Sequence, residues 1–279
     1  MAKLGIIAGL GDLPVSIAQA RVADGDEVYI LKLAGFEEPR LAEFPGETVG
    51  IGQIGKAIKR FRAANCSEIV FAGIVKRPNF KDIKLDLRGA RLLPKVLKAA
   101  RHGDDALLRV IVDELETEGF KIIAAEDAAS DLKAGSGLLF GPPPSDDAFA
   151  DMQKAAHIAA EIGRLDIGQG AVVCDGLILA VEAQEGTDRM LQRVADLEPE
   201  LRGSSREPKG VLVKRPKPIQ ERRIDLPTIG PATVQKAVEA GLVGIGVEEG
   251  GALLLNRADI EALCKQHGVF VYGFTPAWD

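Results

Sequence analysis

KLGIIAGLGDLP, residues 3–14, decides how the first half of the chain folds. Lys3–Ala8 is short and mostly apolar, as expected of a strand buried on both faces of a parallel sheet. The run breaks at Gly9-Leu10-Gly11, and VSIAQARVADG, after Pro14, carries apolar residues at helical spacing. Strand, glycine turn and helix form the nucleotide-binding βα arrangement, in which helix amides face an anionic group. Glu27–Leu33 (EVYILKL) reads as the next strand. The dinucleotide fingerprint fails twice: Pro14 stands where a third glycine belongs, and Lys32-Leu33-Ala34-Gly35 brings no acid to hold a ribose. The turn therefore reads as a nucleotide phosphate site but not an NAD site, with Gly9, Leu10 and Gly11 as candidate contacts. A structural glycine turn without a ligand is the competing reading.

The alternation continues outward. Gly52–Ala64 has a helical pattern, and Glu68–Ala72 (EIVFA) that of a strand ending in Gly73-Ile74-Val75-Lys76-Arg77-Pro78. Ligands collect at the carboxyl ends of strands in open α/β sheets, so Gly73, Lys76 and Arg77 are candidates; two solvated cations are the alternative. Ala90–Ala100 is amphipathic, His102-Gly103-Asp104-Asp105 precedes a helix that either aspartate could cap, and Phe120–Ala124 is a further strand. Residues 1–132 thus predict a Rossmann-like parallel sheet. Lys133–Asp147 (KAGSGLLFGPPPSDD) has the composition of a Gly/Pro linker. Residues 148–279 predict an α+β domain with a mixed sheet, so the chain as a whole is of α/β class with two domains.

Composition limits the function classes. The chain has 279 residues, 46% of them hydrophobic, and a mean hydropathy of +0.06, the profile of an ordinary globular protein. No apolar run reaches the roughly 18–20 residues of a membrane helix. MAKLGIIAGLG runs straight into the glycine turn and reads as a first strand rather than a signal peptide. Cys66, Cys174 and Cys264 show neither a disulfide framework nor a zinc pattern, which predicts a reducing, cytoplasmic location. A formal charge of −6 and a pI near 5.3 argue against nucleic acid as a partner.

In the second half, Phe149–Leu165 is a long amphipathic pattern, on which His157 reads as a packing or surface residue. Gly170–Cys174 and Leu177–Val181 flank Asp175-Gly176, a two-residue hairpin turn. The second strand runs into Glu182-Ala183-Gln184-Glu185-Gly186-Thr187-Asp188-Arg189. Carboxylates at the exit of an apolar strand are costly unless exposed, paired or metal-bound, although Thr187 or Asp188 could simply cap the following helix. Val211–Gly230 (VLVKRPKPIQERRIDLPTIG) sets five cations against Glu221 and Asp225 on a backbone stiffened by three prolines. Such a stretch suits a phosphate-bearing ligand; a solvated connector is the plain alternative.

GIIAGLGDLP, GIVKRP, HGDDALLRV, LDIGQGAVV, AVEAQEGTDRM and GVLVKRPKPIQERRIDLPTIGPATV together resemble the LpxI UDP-2,3-diacylglucosamine pyrophosphatases over essentially the whole chain. The resemblance implies a UDP-binding N-terminal domain and a C-terminal domain that carries catalysis and holds the diacylated sugar. It implies Mg2+-dependent hydrolysis of UDP-2,3-diacylglucosamine to UMP and 2,3-diacylglucosamine 1-phosphate (lipid X), a step of lipid A synthesis. In the N-terminal motifs it implies substrate contacts at Gly9, Leu10, Gly11, Gly73, Lys76, Gly103 and Asp104. In AVEAQEGTDRM it implies contacts at Glu185, Gly186 and Thr187. The chain departs from the family at Glu221, where relatives more often carry aspartate; Asp225 lies in the part that matches.

Pyrophosphate hydrolysis needs charge neutralised on non-bridging oxygens and a water aimed in line. Asp225 is expected to hold the metal or the attacking water, with Asp188 as second ligand and Glu182 as a further metal candidate. Lys214 and Lys217 would neutralise phosphates, and Gln220 and Thr228 would orient oxygens. Two acyl chains need cover from water, so LILAV, GLVGIGV and ALLLN are expected to line an apolar pocket in the C-terminal domain, unless they form its core. No stretch reads as a basic amphipathic membrane helix, so contact with the inner-membrane surface is expected to be transient and peripheral. A homodimer is carried as an expectation without a residue pattern behind it. The rival readings are a non-catalytic nucleotide-sugar sensor or carrier and, disfavoured by the broken fingerprint, an NAD-type oxidoreductase.

Overall fold

The computed structural model describes residues 3–76, 82–101, 104–204, 206–218 and 226–275, and these form two compact units that divide after Asp131. The first unit runs β1 (Lys3–Ala8), α1 (Asp12–Ala23), β2 (Val28–Leu33), β3 (Gly46–Val49), α2 (Ile54–Ala63), β4 (Cys66–Ala72), α3 (Leu87–Ala99), α4 (Asp104–Thr117), β5 (Lys121–Ile122) and α5 (Ala125–Ala128). Its five strands lie in the order β3-β2-β1-β4-β5, every pair parallel. The apolar character of KLGIIA is explained by its central place: Leu4, Ile6 and Ala8 are buried on one face, and Ile7 packs with Phe61, Ile69 and Phe71 on the other. Strand order reverses beside β1, so the loops after β1 and β4 flank the crevice where open α/β sheets bind ligands.

The second unit runs β6 (Gly137–Phe140), α6 (Asp146–Arg164), β7 (Gly170–Cys174), β8 (Leu177–Val181), α7 (Thr187–Ala195), α8 (Pro199–Arg202), β9 (Val211–Lys214), β10 (Thr228–Ile229), α9 (Pro231–Glu239), β11 (Gly244–Glu248), β12 (Leu253–Leu254), α10 (Arg257–His267) and β13 (Phe270–Phe274). Its main sheet is mixed, in the order β6-β13-β11-β9-β7-β8, and β10 pairs with β12 in a small parallel ladder. Helices cover both faces. Alanines at 148, 155, 156 and 159 let α6 lie close on Ala171, Val173, Val211 and Val213. Across the sheet, Met190, Val194, Val234, Ala237 and Ile260 close over Val172, Leu212, Ile245 and Val271.

Three expectations change here. Gly137–Phe140, inside the stretch read as a linker, is an antiparallel edge strand on β13; its glycines and prolines shape the turns around it. The runs GLVGIGV and ALLLN form the core, with Leu242, Ile245, Val247 and Leu254 at 0% exposure, because helices on both faces leave those strands no open side. Leu177 and Ile178 of LILAV face outward instead. The Asp175-Gly176 hairpin forms as read, both residues at positive φ (49° and 74°).

Candidate functional site

At the carboxyl edge of the first unit the loops after β1 and β4 are stitched together. Leu10 N–H donates to Ile74 O (3.0 Å), and Ile74 N–H donates back to Leu10 O (2.8 Å). A Cβ on Gly9 would stand 2.5 Å from Ile74 O, and one on Gly73, at φ 93°, 2.8 Å from Leu10 O. Glycine at 9 and 73 is therefore required for backbone contact, whatever else the turn does. Gly11, the N-cap of α1, turns its amide to an internal acid: it donates to Glu38 Oε2 at 3.2 Å.

Glu38 is the residue that the sequence concealed. It lies five positions past the end of β2, leads a short 3-10 turn at Pro39–Glu43, and is 8% exposed. Arg40 Nε donates to its Oε1 (2.7 Å), while Arg40 Nη1 pairs with Asp12 at 2.8 Å. The Arg40 guanidinium first, then the amides of Gly11 and Arg40, hold the Glu38 carboxyl down to about 2 against the effect of burial. An acid does stand at the glycine turn, but it arrives through the fold, not at the strand end where the fingerprint places it. Lys76 is exposed beside this edge; Gly103 lies outside the described residues, and Asp104 begins α4.

In the second unit, β8, β9, β11 and β13 run in one sense, so Glu182, Lys214, Arg215 and Glu248 gather at one carboxyl edge. Lys214 and Arg215 are each 6% exposed, which sets aside the solvated connector for these two. Arg215 Nε donates to the fully buried Glu248 (3.0 Å), and its guanidinium stands 6.0 Å from the Phe274 ring centroid. Lys217 Nζ pairs with Asp166 (2.7 Å). Thr228 Oγ1 donates to Leu226 O at 3.3 Å and sits at the start of the β10–β12 ladder. Gln220 and Asp225, with Glu221, Arg222 and Arg223, lie outside the described residues.

Glu182 has the most telling environment. It is 5% exposed; Oε1 accepts from Thr187 Oγ1 (2.9 Å), and Oε2 is buried without a hydrogen-bond partner. Gly168-Gln169-Gly170 runs alongside so closely that a Cβ at Gly170 would lie 2.7 Å from that oxygen, and one at Gly168 1.9 Å from Glu182 O. Gln169 Oε1 is a second buried acceptor without a partner, and Gln169 O takes the Arg215 amide at 3.0 Å. Two orphan acceptors beside one strand end suit a cation or a donor from a ligand. Gln169 was not singled out by its motif; the only sequence signal is its position between two glycines.

The neighbouring acids are committed elsewhere. Glu185 pairs with Arg193, and Asp188, 62% exposed, pairs with Lys236. The N-cap of α7 is Gly186 (φ 80°), so neither Thr187 nor Asp188 caps it. Among the described residues no three His, Cys, Asp or Glu side chains gather as a metal site; Asp225, the expected first ligand beside Asp188 and Glu182, lies outside them. Nor, among them, is any helix long and apolar enough to cross a membrane.

Comparison with known proteins adds to this geometry. The LpxI N-terminal domain model matches residues 3–132, and the LpxI C-terminal domain model matches residues 135–272. The UDP-2,3-diacylglucosamine pyrophosphatase LpxI of Caulobacter vibrioides is 50% identical over 276 residues, 99% of each chain. Among solved structures, UDP-N-acetylglucosamine 4-epimerase from Bacillus cereus matches at 11% identity with a TM-score of 0.28, over 44% of this chain and 34% of that one, too slight a likeness to carry an argument.

Proposed function

This chain belongs to the LpxI family, and from that premise we propose that it hydrolyses the pyrophosphate bond of UDP-2,3-diacylglucosamine, releasing UMP and 2,3-diacylglucosamine 1-phosphate, in lipid A synthesis. The observation that carries the reading is identity at half of all aligned positions, across nearly the full length of both chains, with a protein of that name. The first unit holds the nucleotide at the edge formed by Gly9–Gly11 and Gly73. The second unit performs the chemistry at the carboxyl edge of its main sheet, where Glu182 and Lys214 lie. Lys214, kept from water, offers its charge to phosphate oxygens undiluted by solvent. Lys217, Gln220 and Thr228 position those oxygens, and Asp225 orients the attacking water. The reaction takes place in the cytoplasm, with brief contact at the inner-membrane surface.

A divalent ion fits this donor set. Mg2+ takes oxygen ligands and is held by one or two carboxylates plus substrate oxygens and water. The orphan Oε2 of Glu182 is one such oxygen. Glu182 and Asp225 are the residues we assign to the ion; Asp188, neutralised by Lys236, is left out. When bound, the ion supplies positive charge for the pyrophosphate.

The test is to incubate the purified chain with UDP-2,3-diacylglucosamine, with and without Mg2+, and to measure UMP. Turnover that requires the ion and collapses in Asp225→Ala, while substrate binding and the melting temperature survive, supports the assignment. Intact substrate under both conditions would favour a non-catalytic nucleotide-sugar sensor. Near-normal turnover in Asp225→Ala would remove that residue from the mechanism.

A further inference from the structure

A hydroxyl at the start of a helix ordinarily serves as its cap, accepting from the amides of the first turn. Thr187 opens α7 and does not do this: the N-cap is Gly186, and no side chain caps the helix. The hydroxyl turns back over the preceding loop instead, where Oγ1 donates to Glu182 Oε1 at 2.9 Å. Local rules set aside in this way mark functional sites more often than ordinary turns.

The surroundings of Glu182 show what that hydrogen bond controls. The amide of Glu182 donates to Gly170 O at 2.8 Å, and Gly170 pairs in turn with Lys214 across the β7–β9 ladder. Residues opposite one another across a ladder share a face of the sheet. Glu182, Gly170 and Lys214 thus form a row on one face, with the side chain missing from its middle. Oε2 of Glu182 lies over that gap, 2.7 Å from where a Cβ of Gly170 would stand, and it is the oxygen without a partner. The terminal torsion of a glutamate is broad, so a carboxylate left to itself samples many orientations. A hydrogen bond to Oε1 selects one of them.

We propose that Thr187 is the positioning residue of Glu182: its hydroxyl holds Oε1 so that Oε2 stays bare over Gly170, aimed at the cation that accompanies the pyrophosphate. The inference rests on the assignment of Glu182 to the divalent ion. It gives Thr187 a role exerted through Glu182, where the family resemblance implied a contact with substrate. Removing a partner of this kind behind a metal-holding side chain typically lowers metal affinity or activity about 10–100-fold.

The test uses the full-length chain, with Thr187→Val, which keeps the shape and removes the donor, and Thr187→Ser, which keeps the donor. Mn2+ serves as the metal probe, its affinity read by electron paramagnetic resonance, and thermal melting checks that each variant folds. Thr187→Val should weaken Mn2+ binding and lower kcat for UDP-2,3-diacylglucosamine, each about tenfold or more, and Thr187→Ser should restore both to within about threefold. Placed on Glu182→Gln, the valine should cost almost nothing further, because a residue that acts through Glu182 has nothing left to position. Equal losses in the valine and serine variants, unchanged kcat and Mn2+ affinity in the valine variant, or an undiminished effect of the valine on Glu182→Gln would each overturn the inference. A parent chain that turns over no substrate ends the pyrophosphatase reading. Mn2+ affinity then decides the inference alone: weakening in Thr187→Val with recovery in Thr187→Ser keeps it, and unchanged or absent binding ends it.

Discussion

Glu182 and Glu38 are both buried carboxylates, yet they answer to different physics. Glu38 has its guanidinium and its amides, and its low pKa is a contribution to folding. Because the folded value is depressed, that contribution is present above the unfolded value near 4.5 and is lost as pH falls towards about 2. The stability gap between the parent chain and Glu38→Gln, measured by denaturant unfolding at a series of pH values, should therefore shrink as pH drops from about 5 to about 2. A gap independent of pH would show that the carboxylate charge does not matter there. Glu182 has only half its acceptors satisfied, an arrangement expensive for a structural residue. Glu182→Gln keeps the shape and removes the charge, so turnover should fall by about a hundredfold while the melting temperature holds or rises. A drop in melting temperature with turnover intact would make Glu182 a structural residue after all.

Elements at the two carboxyl edges depend on contacts that chain order hides. The β7–β8 hairpin was legible, because Asp175-Gly176 has the residues that a two-residue turn demands. What fixes it in place was not: Asp151, on α6, accepts from the amides of Asp175 (2.9 Å) and Gly176 (2.7 Å). An aspartate in an alanine-rich amphipathic helix carries no local sign of such a partner. Asp151→Ala should cost about 2–4 kcal/mol in denaturant unfolding, the loss of two hydrogen bonds to a charged acceptor. Asp151→Asn, which keeps an acceptor oxygen, should recover part of that. The same logic governs Gly168 and Gly170, whose need for close approach to Glu182 is set by tertiary packing. The glycine turn of β1 was readable from strand and helix grammar; Glu38, brought to it by a loop, was not.

Over the whole molecule, strand and helix periodicity conveyed the parallel first sheet and the mixed second one, because each buried face repeats along the chain. Pairings between distant segments, such as Arg215 with Glu248, leave no repeat to read, and composition alone made residues 133–147 resemble a connector rather than an edge strand. The three thiols offer a measurement on both units at once. Cys66 belongs to the first core, Cys174 and Cys264 to the second, and burial pushes each thiol up to about 11. At pH 8 a thiol of that kind is ionised about one part in a thousand, and burial bars reagent as well. Labelling of the native chain should therefore proceed only through opening, at a rate far below that of the unfolded chain. With rising denaturant, the appearance of label at Cys66 reports the first unit, and label at Cys174 and Cys264 the second. Cys174 and Cys264 should become reactive together, since both sit in the sheet-and-helix layers of a single unit. Rapid modification of any one of them in buffer would mean that its surroundings open without global unfolding, and would place a weak point of the fold at that residue.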